Sequence, residues 1–242
     1  MKRVRLLLLL MLFLATAYTF AQAQQLEVKQ LAKKVWVHTS YNMYGGTTVP
    51  SNGLLVSTSD GVVLIDMAWG DEQTEQLLTW VKENLKQPVK ICIVTHAHHD
   101  RMSSIPVLHK HNVTVYSSAK TARLAAAQEL SSPDTTLALN QEISVGEQKL
   151  VVFYPRAGHT ADNVVVYLPQ QKVLFGGCLV KDAKAINLGN TADADLSNWP
   201  NAIQQVQQKF PKAKRVVPGH GQWSDQIALT HTLHLLQQHA KK

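Results

Sequence analysis

Residues 95–104 read Thr-His-Ala-His-His-Asp-Arg-Met-Ser-Ser, directly after the apolar, strand-like run Val89-Lys90-Ile91-Cys92-Ile93-Val94. Three histidines and one aspartate fall between His96 and Asp100. On an extended chain, side chains at i, i+2 and i+4 share a side. That spacing groups His96, His98 and Asp100 and turns His99 elsewhere. If the chain curls as it leaves the strand, the three need not serve one ion. Imidazole nitrogen and carboxylate oxygen are ligands that zinc accepts at about 2.0–2.2 Å. A lone His-x-His is weak evidence, because hydrogen-bonded histidines at a polar strand end explain it too. Asp100 at the next alternate position strengthens the metal reading.

Outward from this stretch, strands and helices interleave. Val35–His38, Gly53–Ser57, Gly61–Asp66 and Val113–Tyr116 have strand character, and Tyr41–Ser51 reads as a mobile hairpin with Gly45-Gly46 at its tip. From Glu72 to Leu85, Leu77, Leu78, Val81 and Leu85 recur at helical spacing. Helices are also expected over Ser104–His111 and Ala119–Glu129. A strand-rich half follows, with Lys149–Tyr154, Asn163–Leu168, Val173–Phe175 and Arg215–Val217. Asp195-Leu196-Ser197 should cap a helix to Phe210, and Gln226–His239 should form a closing one. Hairpins mixed with strand–helix crossovers fit two sheets packed together with helices outside, an α+β arrangement, and not a doubly wound sheet.

The N-terminus has its own logic. Lys2, Arg3 and Arg5 precede the apolar run Leu6–Leu14, and Ala21-Gln22-Ala23 is a small-x-small pattern, as in a secretory signal. The run is shorter than the roughly 20 apolar residues of a membrane span. Residues 1–23 are therefore expected to be removed, leaving a single domain over 24–242, delivered to the periplasm. Cleavage takes three basic and no acidic residues from 24 Lys+Arg and 17 Asp+Glu, leaving 21 against 17, or +4. That mild, dispersed charge calls for no nucleic-acid partner, and no membrane partner is expected after cleavage. Nothing signals an oligomer interface, so a monomer is expected. Cys92 and Cys178 would enter an oxidising compartment, and spacing leaves open whether they pair.

Three further segments carry potential ligands beside glycine: Gly158-His159-Thr160, Gly177-Cys178 and Pro218-Gly219-His220-Gly221. Glycine lets backbone crowd an ion or adopt positive φ. Any one of these is an ordinary turn, but all together, in a chain with His-x-His-x-Asp, are not. His231 and His234 are three apart on the closing helix without a carboxylate or cysteine at matching spacing. They read as solvated surface, as do His38, His109 and His111.

With these motifs the chain resembles the class B (metallo) β-lactamases, specifically the first subclass, over nearly the whole mature length. The resemblance implies a four-layer αββα sandwich with the site at one edge, between the sheets. It implies Zn2+, two per chain: His96, His98 and His159 holding the first ion, and Asp100, Cys178 and His220 the second. Asp66 takes the family's strand-end acid position, and Arg101 is expected beneath the second ion, bonded around Asp100. Lys181 would bind the substrate carboxylate. Asn190 would bind substrate and polarise the lactam carbonyl, and Asp100 and Asn190 are the candidate catalytic groups. Tyr41, Met43, Tyr44 and Val49 could wall the substrate. His96 argues against the single-zinc subclass, which has asparagine there, and Arg101 and Cys178 argue against the third.

Charge counting separates the two ligand sets. Three neutral imidazoles leave +2 on the first ion, whereas aspartate, thiolate and imidazole leave the second near zero. An electron-poor zinc with an open position lowers a bound water's pKa to about 7, so a zinc-held hydroxide is the expected nucleophile. The implied activity is opening of penicillins and cephalosporins, with carbapenems expected too, and hence antibiotic resistance. Ser103-Ser104 departs from the two glycines usual in the family. A serine can cap a helix, and the change puts metal affinity and rate in question more than fold. A glyoxalase-type thioesterase on the same scaffold is the nearest rival, opposed by Arg101 and Cys178. A non-catalytic zinc-binding protein is opposed by Lys181 and Asn190.

Overall fold

The computed structural model describes residues 25–241, so the expected signal segment lies outside the described residues. Among these, twelve strands form two sheets. The first contains β1 (Glu27–Ala32), β2 (Val35–Tyr44), β3 (Thr47–Thr58), β4 (Gly61–Ile65), β5 (Val89–Ile93), β6 (Thr114–Ser117) and β7 (Thr135–Thr136), in that spatial order. The second runs β12 (Arg215–Pro218), β11 (Val173–Gly177), β10 (Val165–Leu168), β9 (Gln148–Phe153), β8 (Gln141–Val145). Helix α1 (Asp71–Leu85) crosses from β4 to β5, and the short α2 (His99–Met102) and α3 (Ile105–Lys110) cross from β5 to β6. Helix α4 (Ala119–Ala127) follows β6, α5 (Trp199–Lys209) links β11 to β12, and α6 (Ile227–His239) closes the chain.

Alternation along the strands explains the layering. In β4, Val62 and Leu64 face the cluster that includes Leu77 and Val81 of α1, while Val63 and Ile65 face the second sheet. In β10, Val166 and Leu168 pack between the sheets, whereas Val165 and Tyr167 meet Trp199, Ile203 and Val206 of α5. Three apolar clusters therefore separate four layers, helix–sheet–sheet–helix, and each fully buried Val, Leu or Phe contributes about 1.5–3 kcal/mol. The expected αββα sandwich is what the chain forms. Strands β1, β7 and β8 escaped the sequence reading because their residues are mostly exposed or half-buried and lack a clean apolar alternation.

The topology places the site. Strands β4 and β5 are parallel neighbours, with Ile65 opposite Ile93, so Asp66 and the His96 segment leave the same end of the first sheet. Strands β11 and β12 are also parallel, with Gly177 opposite Pro218, which sets Cys178 beside Gly219-His220. The two ends are laced together by backbone contacts. Asn52 N–H donates to Gly219 O at 2.8 Å, its side-chain amide to Pro218 O at 3.0 Å, and Val164 N–H to Thr95 O at 3.0 Å.

Candidate metal centre

The quoted segment does not continue as a strand. β5 stops at Ile93, residues 96–98 bend, and Asp100 lies in α2. The grouping of His96, His98 and Asp100 thus comes from a bend followed by a helical turn, and their ligand atoms still lie within 4.8 Å of one another. His96 Nε2 and His98 Nδ1 are 3.2 Å apart. His159, from the β9–β10 connection, completes an imidazole trio with ring centroids 4.7, 5.1 and 5.2 Å apart. Asp100, Cys178 and His220 form a second group. His220 Nε2 is 3.2 Å from Cys178 Sγ and 3.3 Å from Asp100 Oδ2, and Cys178 Sγ is 3.7 Å from Asp100 Oδ2.

These spacings suit zinc. Ligands at zinc's bond lengths and tetrahedral angles stand about 3.3–3.6 Å from each other, close to the separations observed. Three of the four imidazoles are also turned by outer partners, whereas His159 Nδ1 is buried without one among the described residues. Thr95 Oγ1 donates to Asp66 Oδ2 at 2.8 Å, so it accepts from His96 Nδ1–H at 3.2 Å and leaves His96 Nε2 unprotonated. His98 Nε2 meets Asp193 Oδ2 at 3.0 Å, which leaves Nδ1 facing inward. His220 Nδ1–H donates to Pro50 O at 2.7 Å, freeing Nε2. Such outer partners fix the tautomer and aim of a ligating imidazole.

Electrostatics follow from burial and charge. Burial, then the neighbouring His98, hold His96 well below the ordinary histidine range, and burial and His96 do the same to His159, so both are neutral at pH 7. Burial alone would raise Asp100, but Arg101 and then His220 outweigh it and hold the carboxyl well below its usual value. Burial likewise opposes a charged His220, yet Cys178 and Asp100 raise it to about 9. A cation between these donors would displace that proton, as ligation requires.

Arg101 is fully buried beneath this second group. Its Nη2 donates to Cys178 Sγ at 3.1 Å and Gly219 O at 2.9 Å and forms an ion pair with Asp100 Oδ2 at 2.9 Å, and its Nη1 donates to Asn52 O at 2.6 Å. Asp66 lies 3.4 Å from Nη1 and accepts from Thr95 N–H at 2.8 Å. Burial pushes the Asp66 carboxyl up to about 6, against Arg101 and Thr95. Gly219 must be glycine, because a Cβ there would stand 2.6 Å from Cys178 Sγ.

The donor groups open into a cleft of about 730 Å³ lined by Tyr44, Val49, Trp69, Lys181 and Asn190, among others. A family model described as the metallo-beta-lactamase superfamily matches residues 46–220.

The chain belongs to the metallo-β-lactamase superfamily.

A curated relative, the metallo-beta-lactamase type 2 of Bacillus cereus, is 42% identical over 212 residues, covering 88% of this chain and 83% of that protein. Another of that name, from Elizabethkingia meningoseptica, is 33% identical over 243 residues, covering 100% and 98%. Among solved structures, a metallo-beta-lactamase from Pontibacter korlensis is 60% identical with TM-score 0.86, covering 88% of this chain and 99% of that one. FIM-1 from Pseudomonas aeruginosa, a mono-zinc form, is 35% identical with TM-score 0.84, covering 92% and 99%. Membership in this superfamily implies bound metal, typically zinc.

Several residues of this metallo-β-lactamase fold depart from the sequence reading. Tyr44 and Val49 line the cleft, but Tyr41 turns away and donates its hydroxyl to Glu27 at 2.6 Å, and Met43 is 61% exposed. His38 is not solvated. It is fully buried, with Nε2 bonded to Asp66 O at 2.9 Å, and burial lowers it to about 4. His231 holds Ala185 O at 2.7 Å, whereas His109 and His111 are exposed, with Nε2 3.0 Å from Asp134 Oδ2 and 2.7 Å from Glu75 Oε2. Ser104 occupies the N-cap position of α3 without capping it, and its hydroxyl is buried with no partner. Ser103 Oγ accepts from Gly70 N–H at 3.3 Å. Cys92 and Cys178 are both free thiols, Cys92 in the core beneath α1.

The sequence reading missed Trp69 and His99, which line the cleft and bond to each other at 3.3 Å. It also missed Asp193 behind His98, and Asp162, which accepts Ala97 N–H at 2.9 Å and braces the ligand turn. No spacing rule links such distant carboxylates to the motif.

Proposed function

We propose that this chain is a di-zinc β-lactamase of the first class B subclass, opening penicillins, cephalosporins and carbapenems. The supporting observation is a cluster of donors in one cleft that also holds Lys181 and Asn190: the His96, His98 and His159 rings have centroids 4.7, 5.1 and 5.2 Å apart, and the ligand atoms of Asp100, Cys178 and His220 lie within 4.8 Å of one another. His96, His98 and His159 would hold one ion, and Asp100, Cys178 and His220 the other. When bound, zinc supplies Lewis acidity toward the carbonyl and acidifies water to a pKa of about 7. Two dications against one carboxylate and one thiolate leave the site positive, which attracts an anionic substrate.

The chain's own groups then divide the work. Lys181 takes the substrate carboxylate and so sets the lactam's orientation. Asn190 Oδ1 already accepts from Ala192 N–H at 3.0 Å, so its NH2 end serves the carbonyl oxygen, where negative charge develops. Asp100 Oδ2 is engaged by Arg101, Cys178 and His220, which leaves Oδ1 to orient the attacking water. Trp69, Tyr44 and Val49 shield the reacting bond on its apolar side. Residues 1–23 would direct the enzyme to the periplasm, where a monomer of residues 24–242 would protect the cell from β-lactams.

The test uses the mature chain with added zinc. Ring opening of a penicillin, followed by absorbance, should be abolished by a chelator and restored by zinc, with two metal ions bound per chain. A thioester substrate should remain uncleaved. A fully loaded protein that cleaves the thioester and leaves the lactam intact would overturn the reading.

A further inference from the structure

We propose that Trp199 is a positioning residue: its indole face holds the Lys181 ammonium at the mouth of the substrate-carboxylate site without neutralising it. This rests on the β-lactam reading above. Lys181 Nζ lies 5.3 Å from the Trp199 ring centroid, within the reach of a cation–π contact. Among the described residues, no Asp or Glu pairs with Lys181. A carboxylate partner would fix the lysine equally well, but it would cancel the charge and compete with the substrate's own carboxylate. A π-face attracts the cation through its quadrupole and leaves all three N–H donors for an anion.

Trp199 is built to hold that place. It is the first residue of α5 and is fully buried. Its Nε1–H donates to Leu179 O at 2.9 Å, tying the indole to the segment between Cys178 and Lys181. Gly158 allows the ring its approach, since a Cβ there would come within 3.2 Å of Trp199 Cδ1. The His159 ring lies 5.7 Å from the same indole, so one side chain sets both a candidate metal ligand and the candidate carboxylate anchor. A lysine has four rotatable side-chain bonds, and immobilising it before substrate arrives removes that ordering cost from binding.

The experiment compares parent, Trp199→Phe and Trp199→Leu as zinc-loaded enzymes on a penicillin and on its methyl ester, which lacks the carboxylate charge. The acid-to-ester ratio of kcat/KM cancels any disturbance shared through His159 or the core. Trp199→Leu should lower that ratio about five- to tenfold, mainly through KM for the acid, and Trp199→Phe should recover about half of the loss. An independent readout is the Lys181 ε-methylene proton resonance, shifted upfield by the indole in the parent. The shift should vanish in Trp199→Leu and persist partly in Trp199→Phe, even if the parent opens no lactam at all. Equal losses for acid and ester, or a Lys181 resonance at the ordinary lysine position in the parent, would overturn the proposal.

Discussion

Replacing Arg101 with methionine keeps an unbranched stem and removes a cation buried between Asp66 and Asp100. In the parent, Arg101 reaches Asp100, Asp66, Cys178 Sγ and the carbonyls of Asn52 and Gly219. The variant leaves two buried acids and two buried carbonyls without those donors. Removing one partner of a buried ion pair costs about 3–5 kcal/mol, which in a chain of this size lowers Tm by roughly 10 °C. The loss should depend on pH. The Asp66 carboxyl is raised to about 6 in the parent, so its contribution is full below the unfolded value and is lost as pH rises through about 6. Without Arg101 that value climbs further, so the part of the variant's penalty that comes from Asp66 accumulates as pH rises above 6, and the variant's loss of stability is larger at pH 7.5 than at pH 5. Urea unfolding of the metal-free proteins at the two pH values measures both quantities. A loss below about 1 kcal/mol, or one identical at pH 5 and 7.5, would refute the claim that this guanidinium balances the buried acids.

Two further predictions concern buried polar groups. Ser104→Ala should stabilise the protein by about 1 kcal/mol, because it removes a buried hydroxyl that bonds to nothing and caps nothing. A lower Tm than the parent's would show that the hydroxyl has a partner. His38, lowered to about 4 by burial, contributes stability that is full above its ordinary value and lost as pH falls through about 4, worth ~3 kcal/mol in total. His38→Gln should therefore flatten the stability profile between pH 6.5 and 4 by that amount. Profiles that run parallel for the two proteins would sink the argument, since His96 and His159 contribute equally to both.

Where a fold is written in local periodicity, the sequence suffices to read it. The apolar alternation of β4, β5 and β10 and the helical spacing of Leu77, Leu78 and Val81 announce their elements, because burial on one or both faces demands those residues. Strands β1 and β8 were illegible for the opposite reason: they are edge or near-edge elements whose side chains mostly meet solvent. The sandwich itself was legible mainly through the family resemblance.

At the centre the division falls elsewhere. Residue types and their glycine neighbours marked His96, His98, Asp100, His159, Cys178 and His220 from sequence alone, since few other roles combine imidazole, carboxylate and thiol at the ends of apolar strands. The hydrogen bonds that turn His98 and His220, through Asp193 and Pro50, and the contact of Lys181 with Trp199 belong to the tertiary structure, whereas the division into two ligand sets is what the family resemblance implies. The physical reason is range. Periodicity records what a residue needs from its own element, whereas the His98–Asp193 and His220–Pro50 bonds span 95 and 170 positions and exist only after two sheets have packed and brought the same ends of their parallel strands to one edge.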